Sequence, residues 1–333
     1  MTTGDKPRIS RRGLLGWSAA AAASLAAGTW GRVAFGGAER PGGVVTVSTG
    51  VRSGVYARYG QLLQAQLARD LPEVRVRLLS SEGSVENIER LVGGQADFTI
   101  ATADAIAAHQ AEAGRAAERL RACARLYDDY LQLVVPARSP VRRAAGLAGL
   151  SVGVGQDQSG VQLVTRELLA AAGLDMDEDV VPVREGIDTM PRMMEAGRLD
   201  AFFWSGGLPT SAVQRLAERM DIRLVPLGDL LPALQVRGPL TSHYRAAVMP
   251  PDAYPGIEGG QVIETIAVAN LLLTTDAADD AITEQVTRSV ISGRDRIGRA
   301  VHAAQRVDLR TAIYTRPVEL HEGARRYYRA VKL

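Results

Sequence analysis

Catalysis needs a nucleophile beside a base, a pair of carboxylates, or donors grouped around a metal. This chain offers little of that. Its four histidines, His109, His243, His302 and His321, are not spaced as a metal pair, and no serine sits in a G-x-S-x-G elbow. Ser159 is followed by Gly160 but lacks the glycine two residues before it. Asp128-Asp129, and Glu195 or Asp200, offer acid–base pairs in principle, but surface or inter-lobe structural roles suit each better. The single cysteine, Cys123, stands in RACARLYDDY, reads as a buried inert thiol, and leaves no intrachain disulfide possible. The DMDED run at 175–179 has Val180 where a calcium loop needs glycine and Gly186 where it needs glutamate. No catalytic residue, metal ligand or cofactor is expected.

What the chain offers instead is grip. Three glycine- and serine-rich turns recur: STGVRSGVY (48–56), SSEGSVENI (80–88) and GVGQDQSGV (153–161). Each follows a strand-like segment and precedes a helix-like one. In an α/β sheet such turns lie along the binding crevice. Unpaired amides at helix starts favour anions, and Ser84 and Ser159 add hydroxyls. Three such turns aimed at one crevice make a site for a small carboxylate. Any one of them alone reads as an ordinary turn. The third superficially resembles a dinucleotide fingerprint, but Gln158 stands where the next glycine belongs, and no acidic residue is fixed at the right distance.

The elements that must position these turns alternate. Strands are expected at 44–49, 74–79, 97–102, 131–136, 150–155, 180–183, 198–204 and 222–227. Helices are expected at 55–70, 84–94 (capped by Ser84), 162–174, 189–197, 211–220 and from about 278 to 306. The Met190, Met193 and Met194 stripe reads as core. Repeated βα units imply mainly parallel sheets covered by helices. Two sets of units imply two lobes, the last third of the chain returning to the first.

Residues 8–31 stand apart. A basic stretch with Ser10-Arg11-Arg12 precedes a weakly apolar, alanine-rich run, resembling a twin-arginine export signal with Leu14 and Leu15 at its apolar positions. Gly36, Gly37 and Ala38 offer a cleavage site; an uncleaved anchor helix is the alternative. The chain holds 39 basic and 37 acidic residues, for a net charge of +2. Residues 1–38 supply Lys6, Arg8, Arg11, Arg12 and Arg32 against Asp5, so the remainder is net acidic. No basic stripe with interleaved aromatics points to nucleic acid.

Six motifs in order, STGVRSGVYxxYG, EGSVENIxxLxxGQAD, ARLYDDYLQLVV, LAGLSVGVGxxxSG, GRLDAFFWSGGLP and HEGARRYY, resemble the TAXI family, the solute-binding subunits of tripartite (TRAP-type) transporters. The resemblance runs from about residue 44 to the C-terminus. It implies an α/β, two-lobed periplasmic-binding-protein-like type II fold with hinge crossovers. Residues 44–136 plus 246–333 would form lobe one and 137–245 lobe two, with crossings near Pro136 and His243. It also implies an exported protein that closes on a small carboxylate, glutamate-like or a 2-oxo or dicarboxylic acid. The solute would pass to membrane permease subunits, and the twin-arginine export machinery would be a further partner. A ligand-carrying sensor for a membrane kinase, or an enzyme on the same fold, are the alternatives.

Carried over, the ligand shell is Gly50, Gly54 and Tyr56 from the first turn and Gly83, Ser84 and Asn87 from the second. Thr102 and Asp104 follow, then Ser159 and Gly160 from the third turn. Trp204, Ser205 and Gly206, with Gly207 and Pro209, form a loop on the far wall. Tyr56 could equally be a lobe-packing aromatic, Asn87 a turn cap and Trp204 core. The chain departs from the family at Val51 and Arg52, which replace small residues, at Gln158 and Val161, and at Thr102, which replaces a glutamine. Arg52 could take a second carboxylate in a bidentate grip or simply face solvent.

Overall fold

Short β-branched runs alternate with helical ones from the start of the fold. The structure, a computed structural model, describes residues 42–257, 261–301 and 307–331. The export-signal reading, with its cleavage site, and His302 lie outside the described residues. Strand β1 (Gly43–Ser48), helix α1 (Val55–Asp70), β2 (Val74–Leu79), α2 (Ser84–Val92), β3 (Phe98–Thr102) and α3 (Ala103–Ala113) form the first βα set. Helix α1 turns Tyr59, Leu63 and Leu67 inward. Each such side chain stabilises the fold by about 1.5–3 kcal/mol when fully buried. A Cβ at Gly60 would stand 2.5 Å from the Thr49 methyl, so glycine lets α1 settle onto the turn after β1.

The next strand, β4, runs from Leu120 to Pro136. The expected 131–136 strand is only its last third, because Arg121, Arg125 and Asp128 interrupt the apolar pattern that marks a strand. A second set follows: β5 (Ser151–Gly153), α4 (Gly160–Ala171), β6 (Val181–Val183), α5 (Met190–Glu195), β7 (Ala201–Gly206), α6 (Ser211–Ala217), β8 (Ile222–Val225) and α7 (Leu231–Gln235). Then come β9 (Arg245–Met249), β10 (Ile263–Thr275), α8 (Asp280–Ala300) and α9 (Glu322–Val331).

Parallel pairing is confined to the flanks, where β1 lies between β2 and β3, and β5 between β6 and β7. The centre is antiparallel: β10 pairs with β3, β4 and β9, and β4 with β7 and β8. One sheet results, ordered β2-β1-β3-β10-β4-β7-β5-β6. The two long strands change core along their length. On β4, Cys123 to Tyr127 pack with β1 and α1, whereas Leu131, Leu133 and Val135 pack with β5 and α4. On β10, Leu272 belongs to the first core, Ile266 and Val268 to the second. Pro136 ends β4 and His243 precedes β9, so the changes of core lie inward, toward Tyr130 and Asn270. Cys123 is fully buried, and burial pushes its thiol up to about 12, which keeps it protonated.

Candidate functional site

The first two glycine-rich turns meet the third around a cavity of about 60 Å³. The starts of three helices line it: Gly54, Val55 and Tyr56 of α1; Gly83 and Ser84 of α2; Ser159, Gly160 and Val161 of α4. Helix starts present unpaired N–H groups and the positive end of the dipole. Gly50 and Thr102 complete one wall, and Trp204, Ser205 and Gly206 the other.

Ser84 is expected to cap α2, and the structure corrects this. Gly83 takes the cap position at φ 141°, a conformation open essentially to glycine, and Ser84 becomes the first helical residue. Its hydroxyl is thereby released. It accepts from the Thr102 N–H at 3.2 Å and lies 3.0 Å from the Tyr56 hydroxyl. Tyr56 in turn donates to Asn270 Oδ1. Desolvation, then the nearby Asp129 charge, raise the Tyr56 pKa well above the usual phenol value, so it stays a neutral hydroxyl. A Cβ at Gly50 would sit 3.2 Å from that of Tyr56, which is why glycine stands behind the ring. Ser159, by contrast, caps α4: it accepts from the Gln162 N–H at 3.1 Å and donates to the Gln156 carbonyl at 2.6 Å.

The far wall is strand, not loop. Ser205 and Gly206 are the last residues of β7, paired with Leu131 and Tyr130 of β4. Trp204 is half-buried, lines the cavity and donates from Nε1 to Thr210 Oγ1 at 3.1 Å.

Three of the expected ligand residues lie off the cavity. Asn87 is fully buried and saturated: its amide donates to the carbonyls of Thr49 (2.6 Å) and Ile100 (2.9 Å), and its oxygen accepts from Ser48 (2.6 Å) and Ser81 (2.8 Å). It fastens α2 to the ends of β1 and β3. Asp104 is buried behind the site, accepting from the Ala105 N–H and the Tyr244 hydroxyl, both at 2.8 Å. Burial raises its pKa. Arg52 is exposed on the turn and outside the lining.

Asp129, expected in a surface or inter-lobe structural role and not in the ligand shell, lines the cavity at 4% exposure. Strand alternation separates the Asp128-Asp129 pair onto opposite faces. Asp128 pairs with Arg125 and Arg245. Asp129 turns to the cavity, where Oδ2 accepts from the Ser205 hydroxyl at 3.2 Å; Oδ1 makes no hydrogen bond of good geometry, and the neighbouring Asn270 side chain, whose amide nitrogen is likewise unpaired, eases the carboxylate. Burial pushes its carboxyl up to about 7, against the easing of Asn270 and Ser205 and with help from the charges of Asp104 and Asp128. Reading β4 through DDY would have exposed this division. Gln156 and Gly186 also line the site unforeseen, and a Cβ at Gly186 would clash with the Gln156 amide.

Polar contacts join the two sides of the cavity. Ser53 bonds Asp188, Gln156 bonds Glu82, Gln158 donates to Glu89 at 3.3 Å, and the Glu86 N–H donates to the Gln158 carbonyl at 3.2 Å. Gln158 holds φ 62°, a left-handed conformation that favours glycine.

Two solved structures share this architecture. A periplasmic transporter is 14% identical, with 86% of this chain and 92% of that one covered and a TM-score of 0.53. A putative L-cystine ABC transporter from Listeria monocytogenes is 13% identical, over 80% of this chain and 98% of that one, with a TM-score of 0.51. At such identity the likeness fixes the fold, a mixed α/β periplasmic-binding-protein type II-like fold, as the sequence leads one to expect. Residues 47–331 match the NMT1-like family, and the chain belongs to it.

Proposed function

We propose that this protein is an extracytoplasmic solute-binding protein. It encloses a small carboxylate between two lobes and passes it to a membrane transporter, without chemical turnover. The observation that carries the reading is the cavity itself. Three helix N-termini converge on a space walled by β7 and spanned by side-chain bonds, while β4 and β10 alone among the described strands run through both cores. Two strands make a hinge that allows rigid-body opening. The motif order supports a TAXI subunit of a TRAP-type system, exported through its N-terminal segment.

A thermal-shift screen of amino acids, 2-oxo acids and dicarboxylates tests the reading, since a ligand of the folded state raises the midpoint. At least one class is expected to raise it, with the ligand recovered unchanged after incubation. No shift with any class, or a chemically altered ligand, overturns it.

A further inference from the structure

We propose that the solute carries an ammonium group beside its carboxylate. It is a small α-amino acid with its carboxylate at the starts of α1, α2 and α4 and its ammonium against Asp129. This rests on the solute-binding reading and narrows it.

Asp129 is the argument. Its carboxylate is almost wholly buried on the cavity wall, and one oxygen makes no hydrogen bond of good geometry; the only easing beside that of Ser205 comes from the neutral Asn270 amide. A buried carboxylate oxygen without a donor is unfavourable, and a positively charged donor relieves it best. The protein supplies no such group: among the described lining residues there is no lysine, arginine or histidine, and the other ionisable side chains there are Glu82 and Tyr56. A dicarboxylate would bring its second charge toward Asp129 with nothing to neutralise it. A 2-oxo acid would leave the free oxygen facing another acceptor whenever Asp129 is ionised. A zwitterion matches both ends, with amides and helix dipoles for the anion and a carboxylate for the cation.

Alanine, pyruvate and propionate share a three-carbon acid frame and differ in carrying an amine, an oxo group or neither. Calorimetry of the three on the full chain isolates the ammonium. Alanine is expected to bind at least tenfold tighter than the other two. Asp129→Asn is expected to erase most of that preference, bringing alanine and propionate to similar affinity; circular dichroism checks its fold, and the wild-type comparison needs no variant at all. The other ionisable groups that act on Asp129 are Asp104 of α3, Tyr127 of β4 and Tyr56 of α1, with Asp128 from the opposite face of β4, none of them cationic. Ionisation of Asp129 near pH 7 should therefore tighten alanine binding as pH rises from about 6 to about 8. Propionate binding should weaken over the same range. Pyruvate or propionate binding as tightly as alanine overturns the ammonium but leaves solute capture standing. Silence from every amino acid, 2-oxo acid and dicarboxylate removes solute capture and this inference together.

Discussion

Two turns of similar composition open α2 and α4, and each places a serine at the helix start. Their serines do different work. Ser159 spends its hydroxyl on its own helix, capping Gln162. Ser84 stands one position further in and gives its hydroxyl to Thr102 and Tyr56. The difference is a single residue of register, set by Gly83 at φ 141°. A glycine that occupies the cap frees the serine after it for the site. Composition announced both turns, but only backbone conformation decides which hydroxyl faces the cavity.

The comparison can be broken most forcefully at Gly83. A Cβ there would meet only ordinary contacts, the nearest at 3.5 Å, so the penalty of Gly83→Ala is conformational. It should lower stability by about 1–3 kcal/mol in urea unfolding and weaken ligand binding as Ser84 shifts. Next is Tyr56→Ala, which removes the phenol that Ser84 and Asn270 hold; ligand affinity should fall about tenfold or more, about 1.4 kcal/mol, and an unchanged dissociation constant in calorimetry would sink its role. Ser159→Ala should show the opposite balance, a loss of about 1 kcal/mol in stability from the missing cap with affinity altered less than by Tyr56→Ala. Arg52→Ala should do least: the side chain is exposed and off the lining, so affinity for mono- and dicarboxylates alike should stay within about twofold, and a selective loss for dicarboxylates would restore it to the site.

Much of the frame was legible. The expected 55–70 and 74–79 segments coincide with α1 and β2, because each carries an uninterrupted period: Leu63 and Leu67 on a helical face, Val74 and Val76 on a strand face. Helix α3 was missed. Its first turn, Ala103 to Ala107, is buried all round, so no polar face marks it as helical. Strand β4 was cut short by its own charges. That truncation hid Asp129, since an Asp-Asp pair in an irregular stretch looks like surface, whereas in a strand one of the two must turn inward. Asn87 misled for the reverse reason. A polar residue after a glycine-rich turn suits a ligand, and nothing in the sequence reveals that four bonds to β1, β3 and the turns after β1 and β2 already occupy it.

The pairing of β10 with β4 slips in register at Asn270/Leu271 and again at Leu272/Leu273. Such irregularities are where a ribbon bends most readily. Asn270 is also the residue that holds the Tyr56 hydroxyl. In the proposed closure, the residue that holds the cavity's tyrosine is therefore also the pivot. A solute that displaces the Tyr56 ring acts directly on the joint, with no chain of intermediates to relay the force. Occupancy and bending become a single mechanical event, and a substitution at Asn270 would change grip and stiffness together.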